Sequence, residues 1–103
     1  MKLDPNTGSI ITEAQAKELI NNFNAKFPGE VVSSFIGVNP IKKIVDQENC
    51  IGIRVYNGYD AITQKLSLVM VGVDQEEQDI LENGIIYDKL AICPPLCSKN
   101  GLL

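Results

Sequence analysis

The densest apolar stretch of the chain is Leu66-Ser67-Leu68-Val69-Met70-Val71-Gly72-Val73. It is too short and too rich in β-branched residues for a lone buried helix, and it predicts a strand covered on both faces. Upstream, Ala16, Leu19, Ile20, Phe23 and Phe27 recur at three- and four-residue steps, with Glu13, Lys17, Glu18 and Lys26 elsewhere on the wheel. That spacing predicts an amphipathic helix with one buried stripe. Thr12 and Gln15 have capping-box spacing at its start, and Phe27-Pro28-Gly29 ends it, because Pro28 disfavours helical geometry at Phe27.

Glu30 to Val38 suits an irregular edge strand. Asn39-Pro40 then predicts a short helix that buries Ile41, Ile44 and Val45, with Asn39 as cap and Pro40 at the first helical position. From Cys50 to Tyr56 the pattern alternates. Ile51, Ile53 and Val55 form a greasy face, while Cys50, Gly52, Arg54 and Tyr56 form a chemically mixed one. Asn57-Gly58 signals a turn before the central strand. After Val73, the capping spacing of Asp74 and Glu77 offers a helix of about two turns through Leu81, stopped by Asn83-Gly84, which competes with a plain acidic hairpin loop. Ile85 to Tyr87 reads as a further strand, and Cys93-Pro94-Pro95-Leu96-Cys97 is closed to helix and to inner-strand pairing by its prolines.

These elements predict an α+β domain, with two N-terminal helices packed on one face of a small, mainly antiparallel sheet of three to four strands. A chain of 103 residues, 45% hydrophobic, has material for one core, burying roughly two thirds of its unfolded surface. Residues 1–9 are expected to form a mobile segment ahead of a single domain at 10–103.

Charge changes the picture in one place. Of thirteen acids, Asp74, Glu76, Glu77, Asp79 and Glu82 fall within nine residues, and the rest of the chain holds nine bases against eight acids. No basic stripe exists for a phosphate backbone, so nucleic acid is not an expected partner. No segment is long and apolar enough for a bilayer. Lys2 is followed by no apolar run, so the start does not read as a secretory signal, and a cytoplasmic location is expected. The acidic segment reads as a solvated cap. An EF-hand register from Asp74 puts Asp79 at the obligatory glycine and Ile85 at the bidentate glutamate, which excludes that calcium loop.

Histidine is absent, which removes Ser-His and Cys-His nucleophile pairs and His-ligated catalytic zinc. The glycines are too scattered for a phosphate-cradling loop. No cofactor is implied.

The series Cys50-Ile51-Gly52-Ile53-Arg54-Val55-Tyr56, then Ile86-Tyr87-Asp88 and Cys93-Pro94-Pro95-Leu96-Cys97-Ser98, resembles a family of small, functionally uncharacterised bacterial proteins. The resemblance spans most of the chain and implies a bacterial origin and no particular reaction.

Two sets of residues carry chemistry. Arg54, the sole arginine, stands on the mixed strand face with Tyr56, and Tyr87 and Asp88 could join it; such a set can fork a carboxylate or phosphate between aromatic walls. A salt bridge from Arg54 to Asp88, Asp74 or Asp60 is the structural alternative. Cys93 and Cys97, with Cys50 brought alongside by strand pairing, could hold a metal or cycle between thiols and a disulfide. In a reducing compartment all three are expected to be mainly thiols. A polyproline-like course would set the Cα atoms of Cys93 and Cys97 roughly 12 Å apart, against a bridging limit of about 7 Å, unless a turn or a cis peptide closes the gap. The plainer reading makes Cys93 a small buried hydrophobe.

Function accordingly reads as a non-catalytic binding module that meets an unidentified protein or small molecule through the Arg54, Tyr56 and Tyr87 face or through an exposed sheet edge. Homodimerisation by edge pairing is a variant. The alternative is a thiol redox or metal protein built on Cys50, Cys93 and Cys97.

Overall fold

A computed structural model describes residues 2–103. The elements are α1 (Glu13–Lys26), β1 (Ser33–Phe35), α2 (Val38–Val45), β2 (Cys50–Asp60), β3 (Lys65–Asp74), β4 (Ile86–Tyr87) and β5 (Ala91–Cys93). The class is α+β with antiparallel pairing, but the strands divide between two sheets, β1-β5 and β2-β3-β4. The chain forms two compact units: one is the segment ending at Thr7 together with Ile36–Leu90, the other Gly8–Phe35 with Ala91–Leu103.

The first unit is built on β3, the stretch with the strongest apolar signal. β2 pairs with it in an unbroken register from Gly52↔Val73 to Asp60↔Lys65. On its other side β3 meets β4 through Met70↔Tyr87 and Val71↔Ile86. Val71, Gly72 and Val73 are consecutive and all buried. Consecutive strand residues point to opposite faces, so this end of β3 is covered on both. α2 packs on β2 and β3 and contributes Ile44, which is fully buried. Just beyond α2, the Gln47 side chain donates to the Ile44 carbonyl and accepts from the Ile85 amide, tying the helix end to the approach to β4. Gly72 leaves room for this clamp, since a Cβ there would stand 2.8 Å from Gln47 Nε2.

Two local expectations change and one choice is decided. Asn57-Gly58 does not turn the chain: β2 runs through it to Asp60, and the turn falls at 61–64. The Asp60 carboxylate takes the Ile62 and Thr63 amides, and Gln64 adopts φ 58°. The Asx-type turn at Asp60 outcompetes the Asn-Gly signal, and Gly58 serves close strand approach instead, since a Cβ there would lie 2.5 Å from the Ser67 carbonyl oxygen. Secondly, of the two readings open at Asp74, the hairpin forms and the helix does not. The Asp74 carboxylate accepts from the Glu76 and Gln78 amides, Glu77 sits at φ 64°, and the chain returns at once so that Asp79 opposes Val73. Thirdly, α2 starts at Val38 with Gly37 as an N-cap that gives no side-chain bond, placing Asn39 and Pro40 inside the first turn. Residues 4–7 also form a turn, closed by Thr7 N–H on the Asp4 carbonyl and Asp4 N–H on the Thr7 hydroxyl, and Leu3 N–H donates to Glu77.

In the second unit α1 carries the expected capping box between Thr12 and Gln15, and its cap residue Phe27 donates back to Phe23. None of its residues is fully buried, though Phe23 and Phe27 pack ring to ring at 5.2 Å. β1 and β5 pair through Ser33↔Cys93, Ser34↔Ile92 and Phe35↔Ala91, and Val32 N–H donates to the Cys93 carbonyl. Val31 and Cys93 are the buried hydrophobic residues of this unit.

Candidate functional site

Strand register decides which side chains of β2 meet a common partner. Directly paired residues share a face. Gly52, Arg54 and Tyr56 therefore stand with Val73, Val71 and Val69, and Asp79, opposite Val73, joins the same face from the far side of β3. Arg54 Nη1 donates to Asp79 Oδ1, and the Tyr56 hydroxyl donates to Asp79 Oδ2, so both carboxylate oxygens are occupied. The Arg54 and Asp79 side chains retain 33% and 18% of their exposure, which leaves the group in partial contact with water.

Each partner shifts the others in the expected sense. The Tyr56 hydrogen bond, ahead of the Arg54 bond and charge, holds the Asp79 carboxyl below its usual range against an opposing desolvation effect. The bond to Asp79 raises the Arg54 guanidinium, and the same carboxylate raises the Tyr56 phenol by accepting its proton in a hydrogen bond. An ionised Asp79 beside a charged Arg54 and a neutral Tyr56 is a closed set. Its guanidinium is already neutralised, its carboxyl is a poor proton donor, and its phenol is a poor nucleophile. Chemically the set acts as a clip that straps the returning hairpin to β2 across β3.

The sequence reading of Arg54 anticipated either a ligand fork or an ion pair. The ion pair is what forms, with Asp79 in place of Asp88, Asp74 or Asp60. Tyr87 is separated from the pair: it opposes Met70, which opposes Val55, so it belongs to the other face of the sheet. Asp88 follows β4 as an exposed residue. The sequence places Asp79 in the acidic segment without singling it out as a partner of Arg54; its place opposite Val73 follows from a tight hairpin starting at Asp74.

Beside this clip runs an open cleft of about 370 Å³. Leu3, Asp4, Pro5 and Thr7 form one bank, and the continuous stretch Ile51 to Val55 forms the other, with Val73 between them. The lining takes consecutive β2 residues from both faces of the strand together with Val73 of β3. β2 is one of the two edge strands of its sheet, β4 being the other. Gly52 faces open space, with nothing within 4 Å of a Cβ placed there.

The cysteines separate. Cys93 and Cys97 are joined in a disulfide with Cα atoms 4.7 Å apart, and the Cys93-Pro94 and Pro94-Pro95 peptides are both cis. That corrects the expectation of free thiols: the chain reverses after Cys93 where the extended course would have carried Cys97 away. Cys50 is the free cysteine and belongs to the other unit, where its thiol lies 3.2 Å from the Gly52 carbonyl. The paired sulfurs are spent on each other, and among the described residues no group of three or more His, Cys, Asp or Glu could hold a metal ion. A second cavity, of about 570 Å³, adjoins the disulfide between β1 and the 96–98 turn. Among the described residues no helix is long and apolar enough to cross a membrane.

Comparison with known protein families, with curated proteins and with solved structures finds no match for this chain.

Proposed function

We propose that the chain is a non-catalytic binding module that takes an extended segment of a protein partner along the free edge of β2. The observation that carries this reading is an eleven-residue strand, Cys50–Asp60, that among the described residues has a strand neighbour on one side only, with an open cleft lined by Ile51–Val55. The outward N–H and C=O groups of such an edge are a template for strand addition, giving affinity through the main chain and selectivity through the pockets for alternate side chains. Gly52 lowers the cleft wall, and the clip of Arg54, Asp79 and Tyr56 stiffens the strand, with Arg54 also on the cleft lining.

Selection from a displayed library of random octapeptides, followed by amide-resolved NMR titration of a recovered peptide, tests the reading. Shifts confined to residues 3–7 and 51–55 support it, and a Gly52→Leu variant, which fills the cleft from a position with space to spare, abolishes binding while keeping the fold. Shifts centred elsewhere, or unchanged affinity in Gly52→Leu, overturn it.

A further inference from the structure

The second unit carries a separate chemistry, independent of the β2 edge. Cys93 and Cys97 differ sharply in access: Cys93 is 1% exposed and held in β5, whereas Cys97 is exposed. The exposed partner adjoins an open groove with Ser33, Phe35 and Leu96 on its walls, and both Phe35 and Leu96 present more than half of their surface to solvent. The turn that brings the two sulfurs together has hydrogen bonds of its own, Leu96 N–H to the Ile92 carbonyl and Cys97 N–H to the Pro95 carbonyl, while Cys93 is fixed by its pairing with Ser33 and by the Val32 amide on its carbonyl. A cross-link between residues four apart constrains the unfolded chain less than one closing a long loop. The short span of this disulfide and the hydrogen bonds of the turn that carries it leave the fold of β5 with supports besides the bond.

We propose that Cys93 and Cys97 are a thiol-disulfide exchange couple, with Cys97 as the entry sulfur and Cys93 as the buried resolving sulfur, acting on cysteine pairs in an apolar polypeptide segment seated beside Phe35 and Leu96. In the oxidising direction a substrate thiolate attacks Cys97 Sγ and the Cys93–Cys97 bond breaks. Cys93 leaves as a thiolate and takes a proton from water. The second substrate thiolate then attacks the substrate sulfur of the mixed disulfide and expels Cys97, which is protonated in turn. Two electrons and two protons pass from the substrate dithiol to the cysteine pair, and the reverse sequence reduces a substrate disulfide. Attack is directed to Cys97 because access selects which sulfur of a disulfide is reached. In a reducing compartment, where the sequence reading places the chain, a disulfide of this kind belongs to exchange or sensing.

The test uses the full chain carrying Cys50→Ser, oxidised, mixed anaerobically with a bis-cysteinyl peptide with leucine and phenylalanine flanks, and followed by mass spectrometry. The peptide is expected to lose two hydrogens and the protein to gain two, at least roughly tenfold faster than with equimolar oxidised glutathione as acceptor. Adding Cys93→Ser leaves Cys97 to form a persistent mixed disulfide with a single-cysteine version of the peptide supplied as its glutathione mixed disulfide, glutathione leaving as the thiol, whereas adding Cys97→Ser leaves a Cys93 that forms none. Circular dichroism of the reduced protein is expected to match the oxidised form. A peptide that stays reduced or reacts no faster than with glutathione, equal trapping on Cys93, or unfolding on reduction overturns the proposal, the last by making the bond a structural staple.

Discussion

Arg54 and Asp79, 25 positions apart in the chain, meet across β3 because Asp79 opposes Val73 and Val73 opposes Gly52, one step along the same face from Arg54. The strand between them supplies no polar group at this point, so the ion pair and the Tyr56 hydroxyl reach over buried Val71 and Val73. From this arrangement follows a pH dependence with two limits.

Asp79 is held below its ordinary range when folded, so its contribution to stability is complete above the unfolded carboxyl pKa of about 3.9 and is lost as pH falls through the lower folded value. Tyr56 is held above its ordinary range, so its contribution is complete below about pH 10 and is lost as pH rises beyond it. Thermal melts across pH, wild type against Asp79→Asn, check both limits. The variant is expected to lose stability near neutrality, to show a flatter acid limb, and to return Tyr56 to an ordinary phenol titration by ultraviolet absorbance. An unchanged acid limb would show that the clip contributes nothing.

Ile44 is the fully buried residue through which α2 meets the three-stranded sheet. Ile44→Ala is expected to cost about 2–5 kcal/mol, the range for large-to-small changes at sites that relax only in part. Denaturant unfolding followed by circular dichroism measures it, and a loss no greater than that of an exposed substitution contradicts this placement of the core.

Gly58 and Gly52 provide a contrast within one strand. A Cβ at Gly58 would meet the Ser67 carbonyl oxygen at 2.5 Å, and one at Gly52 would meet nothing. Gly58→Ala is expected to cost about 1–3 kcal/mol by forcing β2 and β3 apart. Gly52→Ala is expected to stay within about 0.5 kcal/mol of wild type. Equal losses would contradict the register.

Thr12→Ala removes the hydroxyl that accepts the Gln15 amide and is expected to cost about 1 kcal/mol. Because α1 has no fully buried residue, the loss should appear as fraying of residues 13–16 in NMR, with the remainder of the spectrum unchanged.

Long periodic signals were legible in the sequence. The α1 helix with its Thr12 cap and the doubly covered end of β3 appear in the structure where residue order puts them, whereas the stripe expected on α1 is not buried, Leu19 and Phe27 being exposed, and burial along Ile51 to Val55 does not alternate. Turn chemistry was harder to read, because two strong signals competed at short range. Asn57-Gly58 yielded to the Asp60 carboxylate, and the capping spacing of Asp74 and Glu77 yielded to a hairpin that the same Asp74 side chain stabilises. Because neither the hairpin nor its register is fixed by local pattern, Asp79 does not stand out in the sequence as the partner of Arg54. The division into two sheets was not legible, since pairing β1 with β5 depends on contacts some sixty residues apart that no local pattern announces. The Cys93–Cys97 bond was recognised as a geometric question, and the answer lay in the backbone course after Cys93.

Amide exchange of the free protein, resolved residue by residue, bears most directly on whether β2 offers an open edge. β3 is expected to exchange slowly over Met70 to Val73, where it has neighbours on both sides. In β2 the amides from Ile51 to Val55 should alternate, those turned to β3 protected and those turned to the cleft exchanging rapidly, with the rapid set becoming protected when a selected peptide binds. Uniform protection of Ile51–Val55 in the free protein, or no gain of protection on binding, would contradict the account.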